Sequence, residues 1–373
     1  MLRKFNVALI TSGLILAMMS FIWMSKFSSL PPINKMKGVC WVAGDSIVSF
    51  NLDSLVKNQV QWISQTPFAW MRGHNNPEIS FDNSRSWWGE RDEGLIHTTT
   101  IAHERGIKVM LKPHIWIRNA NGKWRSDIEM KSKDEWEKWF CDYEEMILHY
   151  ASVAKKGNMD ALCIGTELLI PSTRFKERWI DIIGKIRSIY SGQLTYAANF
   201  YKEYDRIEFW GHLDYIGLQA YFPLTGKENP RPKELKKGWE KHAKKLKKVA
   251  NKFNKKIIFT EVGYKNTSDA AVEPWLWPRQ LDVEKIKESE QVQADCYEAM
   301  FETLWSEDWF GGLFIWKWFH GNHQYSYGEY QERMKERRKK RAAERQRPLI
   351  PAIEFSPQGK LAEKVMQYYF INY

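Results

Sequence analysis

The sequence predicts an α/β fold, a (β/α)8 TIM barrel in a single domain, on three observations. Apolar, strand-like runs recur eight times along the chain, and helical patterns separate them. Two of those runs, "CIGTELL" and "IIFTEVGY", end on the same dipeptide, Thr166-Glu167 and Thr260-Glu261. The first run, "GVCWVAGD", is not followed by the Gly-rich phosphate fingerprint of a doubly wound open sheet.

The first strand is expected near 38–43, and a helix over 53–63 follows it. The run 66–72 is the second strand, with a helix over 92–105; the third, 107–112, precedes a helix over 133–155. The fourth, 161–166, leads into a helix over 175–190, and the fifth, 193–198, into a short one near 203–210. The sixth, 213–220, precedes the helix 233–253, where Leu235, Trp239, Leu246, Val249 and Phe253 mark one apolar face. The seventh, 256–262, and the eighth, 311–318, flank a helix over 284–306, and a last helix covers 359–370.

Before the first strand, Arg3 and Lys4 precede an apolar stretch from Phe5 to Met24. Residues 1–25 fit a signal peptide or a signal-anchor helix, with 26–37 as linker and 38–373 as the barrel domain. The positive flank implies export with the domain outside, periplasmic, cell-surface or secreted, and anchoring through residues 5–24 if the segment is kept. No clear cleavage site follows, so cleavage and retention both stay open.

A net charge of +11 suggests a nucleic-acid partner until the charge is located. Residues 231–256 hold twelve Lys/Arg against two Glu, and 333–347, "RMKERRKKRAAERQR", hold nine against two. The rest of the chain is therefore acidic. The first run is the solvated face of an amphipathic helix, and the second is a basic insertion. No nucleic-acid partner is expected, and the protein should act as a monomer. Cys40, Cys141, Cys163 and Cys296 lack metal-ligand spacing and read as free core thiols. His320 and His323 sit in a polar loop, so no metal and no other cofactor is expected.

In a barrel of this kind chemistry sits at the C-terminal ends of the strands. Glu167 and Glu261 should thus face one mouth. Other strand ends supply Trp41, Arg72, His114, Trp116, Asn199, Gln219, Tyr221 and Trp316 as substrate-binding candidates. Trp316 and Trp318 are expected to share one strand face, with Trp316 as a sugar platform, and Trp87 and Trp88 are aromatic residues of a loop. Paired carboxylates among aromatic and amide side chains suit glycoside cleavage, one group protonating the leaving oxygen and one attacking the anomeric carbon. Glu261 would be the nucleophile, held by Arg72 or Tyr221, and Glu167 the acid/base, its pKa raised by burial.

The stretches "LKPHIW" (111–116), "IGTEL" (164–168), "FTEVGY" (259–264) and "GLFIWKW" (312–318) closely resemble glycoside hydrolase family 113, and "FSPQGKLAEKV" resembles its closing helix. That resemblance implies a retaining barrel enzyme acting on β-1,4-linked mannan, with Glu167 matching the acid/base and Glu261 the nucleophile. It also implies a pocket around the cleaved sugar at His114, Tyr221 and Trp316. Thr166 stands where related families carry Asn, so a contact to the sugar 2-hydroxyl must come from elsewhere. The alternatives are a non-catalytic surface glycan-binding barrel and a glycosidase of another β-glycan.

Overall fold

Short runs rich in Ile, Val and Phe, buried on both faces, are what a helix-covered parallel sheet requires. The computed structural model describes residues 35–282, 285, 287–320, 333–337, 339–340, 344 and 352–373. Its barrel unit runs from Lys35 to Asn372. In chain order the strands are β1 (Met36–Val42), β2 (Trp62–Gln65), β3 (Phe68–Met71), β4 (Lys108–Leu111) and β5 (His114–Ile117). After them come β6 (Ala161–Thr166), β7 (Gln193–Asn199), β8 (Ile216–Gln219), β9 (Ile257–Val262) and β10 (Phe310–Phe319). Eight of them close a barrel in the order β1-β10-β9-β8-β7-β6-β4-β2, every pairing parallel. The predicted barrel is the observed one.

The helices are α1 (Asp53–Lys57), α2 (Asp92–Glu104), α3 (Lys133–Lys156), α4 (Leu169–Arg174) and α5 (Lys176–Ile189). They continue with α6 (Pro232–Phe253), α7 (Glu290–Leu304) and α8 (Leu361–Asn372). Ser132 caps α3 by accepting the Glu135 N–H, and Ser289 caps α7 through Val292. On α6, Leu235, Trp239, Leu246 and Val249 are buried, as the periodicity required, and the lysines face outward.

Several expectations shift. The second barrel strand is 62–65, which overlaps the end of the helix expected over 53–63; the helical segment stops at Lys57. The run 66–72 instead forms β3, which pairs only with β5 in a separate two-stranded sheet. An apolar run has the same pattern in either sheet, so the sequence counts β3 as a barrel strand and ends a helix inside β2. The short helix expected near 203–210 is a 3-10 turn at Phe209–His212. Residues 35–37 belong to the barrel rather than to a linker: buried Lys35 donates to the Glu307 and Phe310 carbonyls at 2.8 and 2.6 Å.

The core has two layers. Met36, Cys40, Trp62, Met110, Ala161, Cys163, Ala197, Ile258 and Phe314 form an inner cluster, and the larger cluster lies between strands and helices. Trp316 packs on the inner cluster and Trp318 in the outer one, so the two do not share a face. The β1–β10 register slips between Val39 and Trp41, and the slip breaks the alternation there. Cys40, Cys163 and Cys296 are buried free thiols, but Cys141 is exposed on α3.

The signal or anchor segment 1–25, linker residues 26–34, His323 and much of the basic insertion 333–347 lie outside the described residues. Residues 333–337 are helical. Among the described residues no helix is long and apolar enough to cross a membrane. None of the His, Cys, Asp and Glu side chains described form a metal-holding group.

The seam between β1 and β10 generates a test. Gly312 has φ 127°, and a Cβ there would overlap the Met36 backbone. Gly312→Ala should lower unfolding free energy by about 3 kcal/mol, because strain and backbone overlap add. Chemical denaturation of the full chain reads this as a lower midpoint.

Candidate active site

Both Glu residues stand where a strand loses its regular register. Between β6 and β7 the pairing slips from Cys163–Thr195 to Thr166–Ala197. Gly165 lies inside that slip, and a Cβ on it would come within 2.6 Å of the Tyr196 ring and 2.7 Å of the Tyr143 hydroxyl. Glu167 follows at φ 55°, a left-handed conformation uncommon for a residue with a side chain, its N–H donating to the Ala197 carbonyl at 2.8 Å. At β9 the register slips at Thr260 against both neighbours, which brings Glu261 opposite Gln219. Bulges re-aim side chains at barrel rims, and that is why "GTE" and "TE" terminate these apolar runs.

Glu261 is 4% exposed. Lys112, which directly follows β4 and is wholly buried, donates to its Oε1 at 2.5 Å and to the Thr260 carbonyl at 3.2 Å. Tyr221 donates its hydroxyl to Oε2 at 2.8 Å. Burial alone would push the Lys112 ammonium down, but the charge and hydrogen bond of the Glu261 carboxylate oppose it, and its pKa sits above the usual lysine value. Burial, with the Glu261 charge, holds the Tyr221 phenol well above the ordinary range, so it stays a donor. His114 Nε2 lies 3.7 Å from Glu261 Oε1. Burial, then the charges of Arg125 and Lys112, keep that imidazole well below its usual pKa, so this is a neutral ring beside a carboxylate and not an ion pair. Its Nε2 has no hydrogen-bond partner among the described residues.

Glu167 sits in a different environment. Trp124 donates its indole N–H to Oε2 at 2.7 Å, and Arg125 Nε lies 3.6 Å from the same oxygen. The Arg125 guanidinium packs 4.3 Å over the Trp124 ring and is itself buried. Burial raises the Glu167 pKa; Arg125 opposes that, and the charge of Glu261 adds to it. The two carboxylates therefore feel each other across one site.

The other expected residues divide. Trp316 is half-buried, with the Lys112 ammonium 5.7 Å from its ring. Trp116 packs edge-on against Trp124 at 5.8 Å, so it supports a partner of Glu167 from β5. Gln219 is buried and accepts from Thr260 Oγ1 at 3.0 Å. Asn199 is buried too, donating to Ser126 Oγ and to Glu203. Trp41 is 2% exposed and belongs to the outer core cluster, not to an open platform. Arg72 is exposed beyond β3; Lys112, not Arg72, is the cation on Glu261. The strand carrying Arg72 is the accessory one, which explains the displacement. Trp87 is exposed, and Trp88 packs edge-on against His97.

Sequence reasoning missed Trp124, Arg125 and Glu203. A signal existed for the first two: the 15 residues 118–132 between β5 and α3 make a longer loop than a compact barrel needs, and such loops often carry function. Glu203 sits in the loop after β7, fully buried. It accepts from Tyr196 Oη at 2.5 Å, Ser172 Oγ at 2.8 Å, Asn199 N at 2.7 Å and Asn199 Nδ2 at 2.8 Å. Burial pushes its pKa up to about 7 against those donors.

A closed parallel barrel with two unlike carboxylates at its strand ends, Glu261 buried and Glu167 half-buried, has the layout of a glycoside-cleaving enzyme. The chain belongs to Glycoside Hydrolase Family 113, whose model matches residues 44–335, and it is a glycoside hydrolase with a carbohydrate substrate. Among solved structures, a Family 113 β-1,4-mannanase complex superposes with TM-score 0.70 at 25% identity, over 91% of this chain and 100% of that one. The β-mannanase AaManA from Alicyclobacillus acidocaldarius, in complex with ManMIm, gives TM-score 0.70 at 24% identity over 91% and 97%. A β-glucuronidase from Ruminococcus gnavus shares the fold alone, at TM-score 0.51 and 13% identity, over 76% of this chain and 43% of that one. No curated protein matches the chain by sequence.

The titration of Glu203 sets a pH dependence. Its folded pKa of about 7 lies above the ordinary 4.5, so its contribution to stability is complete below pH 4.5 and lost as pH rises through 7. The shift amounts to about 3 kcal/mol. Denaturant midpoints at pH 5 and pH 8.5 should fall with pH in the wild type, and Glu203→Gln should lack that part of the fall.

Proposed function

We propose that the protein is a retaining β-1,4-mannan hydrolase acting by double displacement, with Glu261 as nucleophile and Glu167 as acid/base. The observation that carries this reading is the unlike setting of the two carboxylates. Glu261 accepts on one oxygen from a buried ammonium and on the other from a phenol, so donors hold both oxygens of the attacking group. Glu167 has its pKa raised by burial and accepts from the Trp124 indole on one oxygen, which suits a group that delivers a proton and then recovers one.

In the first step Glu261 attacks the anomeric carbon while Glu167 protonates the departing oxygen, leaving a glycosyl ester on Glu261. In the second, Glu167 takes a proton from water, which displaces the ester and restores both groups. The neutral His114 Nε2, unpartnered beside Glu261, is placed to contact a hydroxyl of the sugar being cleaved. Half-buried Trp316 offers that sugar an apolar face. Exposed Tyr201 and Trp275, on the loops after β7 and β9 with Phe200 stacked on Trp275 at 5.4 Å, suit further sugars of a polymer. Family membership and the described β-1,4-mannanase activity of similar structures support mannan as the polymer.

Two variants test the assignment. Glu261→Ala should abolish turnover of mannan and of aryl β-mannosides, because no glycosyl ester forms. Glu167→Ala should lower mannan turnover by about 10²- to 10⁴-fold, the usual worth of acid–base help. On an activated aryl mannoside it should accumulate the ester as a burst, and azide should speed it, giving an azide of retained configuration. From Glu261→Ala azide should give an azide of inverted configuration or none; an azide of retained configuration from that variant would reverse the two roles, and wild-type rates in both would remove them.

We further propose that the enzyme works outside the cytoplasm, on the basis of Arg3, Lys4 and the apolar stretch 5–24. Fractionation of cells making the full chain should place activity in the exported or membrane fraction. Activity confined to the cytoplasm would sink that placement.

A further inference from the structure

Glu203 takes no part in the chemistry above, yet it is the hub of the hydrogen bonds that surround Glu167. Two separate routes lead from it. Along the first, the Tyr196 hydroxyl that donates to Glu203 also accepts the Leu168 N–H at 2.8 Å, and Leu168 is the residue directly after Glu167. Along the second, Asn199 Nδ2 is shared between Glu203 and Ser126 Oγ. Ser126 adjoins Arg125, which lies against Glu167, and the same short turn carries Trp124, the indole donor to Glu167. A third donor, Ser172, ties Glu203 to α4, the helix that opens two residues after Glu167.

A side chain held at φ 55° persists only where its surroundings fix it. The Glu167 backbone is fixed by the Ala197 carbonyl before it and by the Tyr196 hydroxyl after it. A carboxylate buried completely is costly unless all its acceptor sites are used. Glu203 meets that condition with four donors, and two of those donors bear on the acid/base from opposite directions. Tyr196 also packs against Gly165, so the same ring limits the bulge from which Glu167 emerges.

We infer that Glu203 is a positioning residue: through Tyr196 and through Asn199–Ser126 it sets the backbone and the partners of Glu167. The inference rests on Glu167 being the acid/base. Its loss should therefore look like a fault in proton delivery and not like a general loss of folded enzyme.

The test uses the full chain and two aryl β-mannobiosides, one with a dinitrophenyl leaving group that departs without protonation and one with a methoxyphenyl group that needs it. In Glu203→Gln, kcat/KM on the methoxyphenyl substrate should fall about 10- to 100-fold further than on the dinitrophenyl one, a part of the full acid–base contribution. Tyr196→Phe keeps the ring and cuts the hydroxyl from both Glu203 and Leu168; it should show the same split and carries the test if Glu203→Gln does not fold. Equal falls on both substrates, as fewer folded molecules would give, overturn the inference, and so does no fall on either. Glu167→Ala is assayed alongside. A split in Glu167→Ala without one in the other variants overturns the role of Glu203 alone, whereas no split in Glu167→Ala overturns the acid/base reading and the inference with it.

Discussion

A wholly buried lysine 2.5 Å from a buried glutamate sets the terms for the centre of this barrel. Lys112 comes from the end of β4 and reaches across to β9, where it meets both the Glu261 carboxylate and the Thr260 carbonyl. Either charge alone would be untenable there, because an ion stripped of water without a partner costs several kcal/mol. Removing one partner of such a pair typically costs about 3–5 kcal/mol for that reason. The pair also decides what the neighbouring layer can contain. Cys40 and Cys163, small side chains of the inner cluster, leave room for the lysine stem, and burial keeps the Cys40 thiol neutral with a pKa of about 12.

The strand ends are built around the same need. A carboxylate at the end of a regular buried strand would point into either the inner cluster or the helix layer, both apolar. The register slips at Gly165 and Thr260 free each Glu from that alternation and turn it to the mouth. The cost of irregularity at Glu167 is met by hydrogen bonds from β7 on both sides of the residue. Thr166 and Thr260 hold backbone, Thr166 through the Pro113 carbonyl and Thr260 through that of Leu218, and neither need touch substrate.

Two glutamates of identical chemistry are thereby made unequal. One faces an ammonium and a phenol, the other an indole and a guanidinium with burial prevailing. Arg125 and Lys112 couple the two settings: the Arg125 charge acts on both carboxylates, and the Lys112 charge reaches Glu167 as well as its partner Glu261. A double displacement requires such unlike surroundings, because one carboxyl group attacks while the other delivers a proton.

The alternation of apolar runs with helical patterns determined the barrel by itself, because period two and period 3.6 are local properties of the chain. The same holds for Glu167, Glu261, His114 and Tyr221, which fall at strand ends whatever the packing. Only the tertiary structure decided what surrounds them. The strand expected over 66–72 proved to be β3, which a residue pattern cannot tell from a barrel strand; only the pairing shows it standing apart with β5, the strand that brings Trp116 behind Trp124. Trp124, Arg125 and Glu203 lie in loops without periodicity; the first two gain their roles from Glu167, distant in sequence, and Glu203 joins Tyr196 and Asn199 of β7 to the distant Ser172. Long-range proximity leaves no trace in one chain's residue spacing, which is why the pair of carboxylates and Tyr221 were legible while the partners Lys112, Trp124 and Arg125 were not.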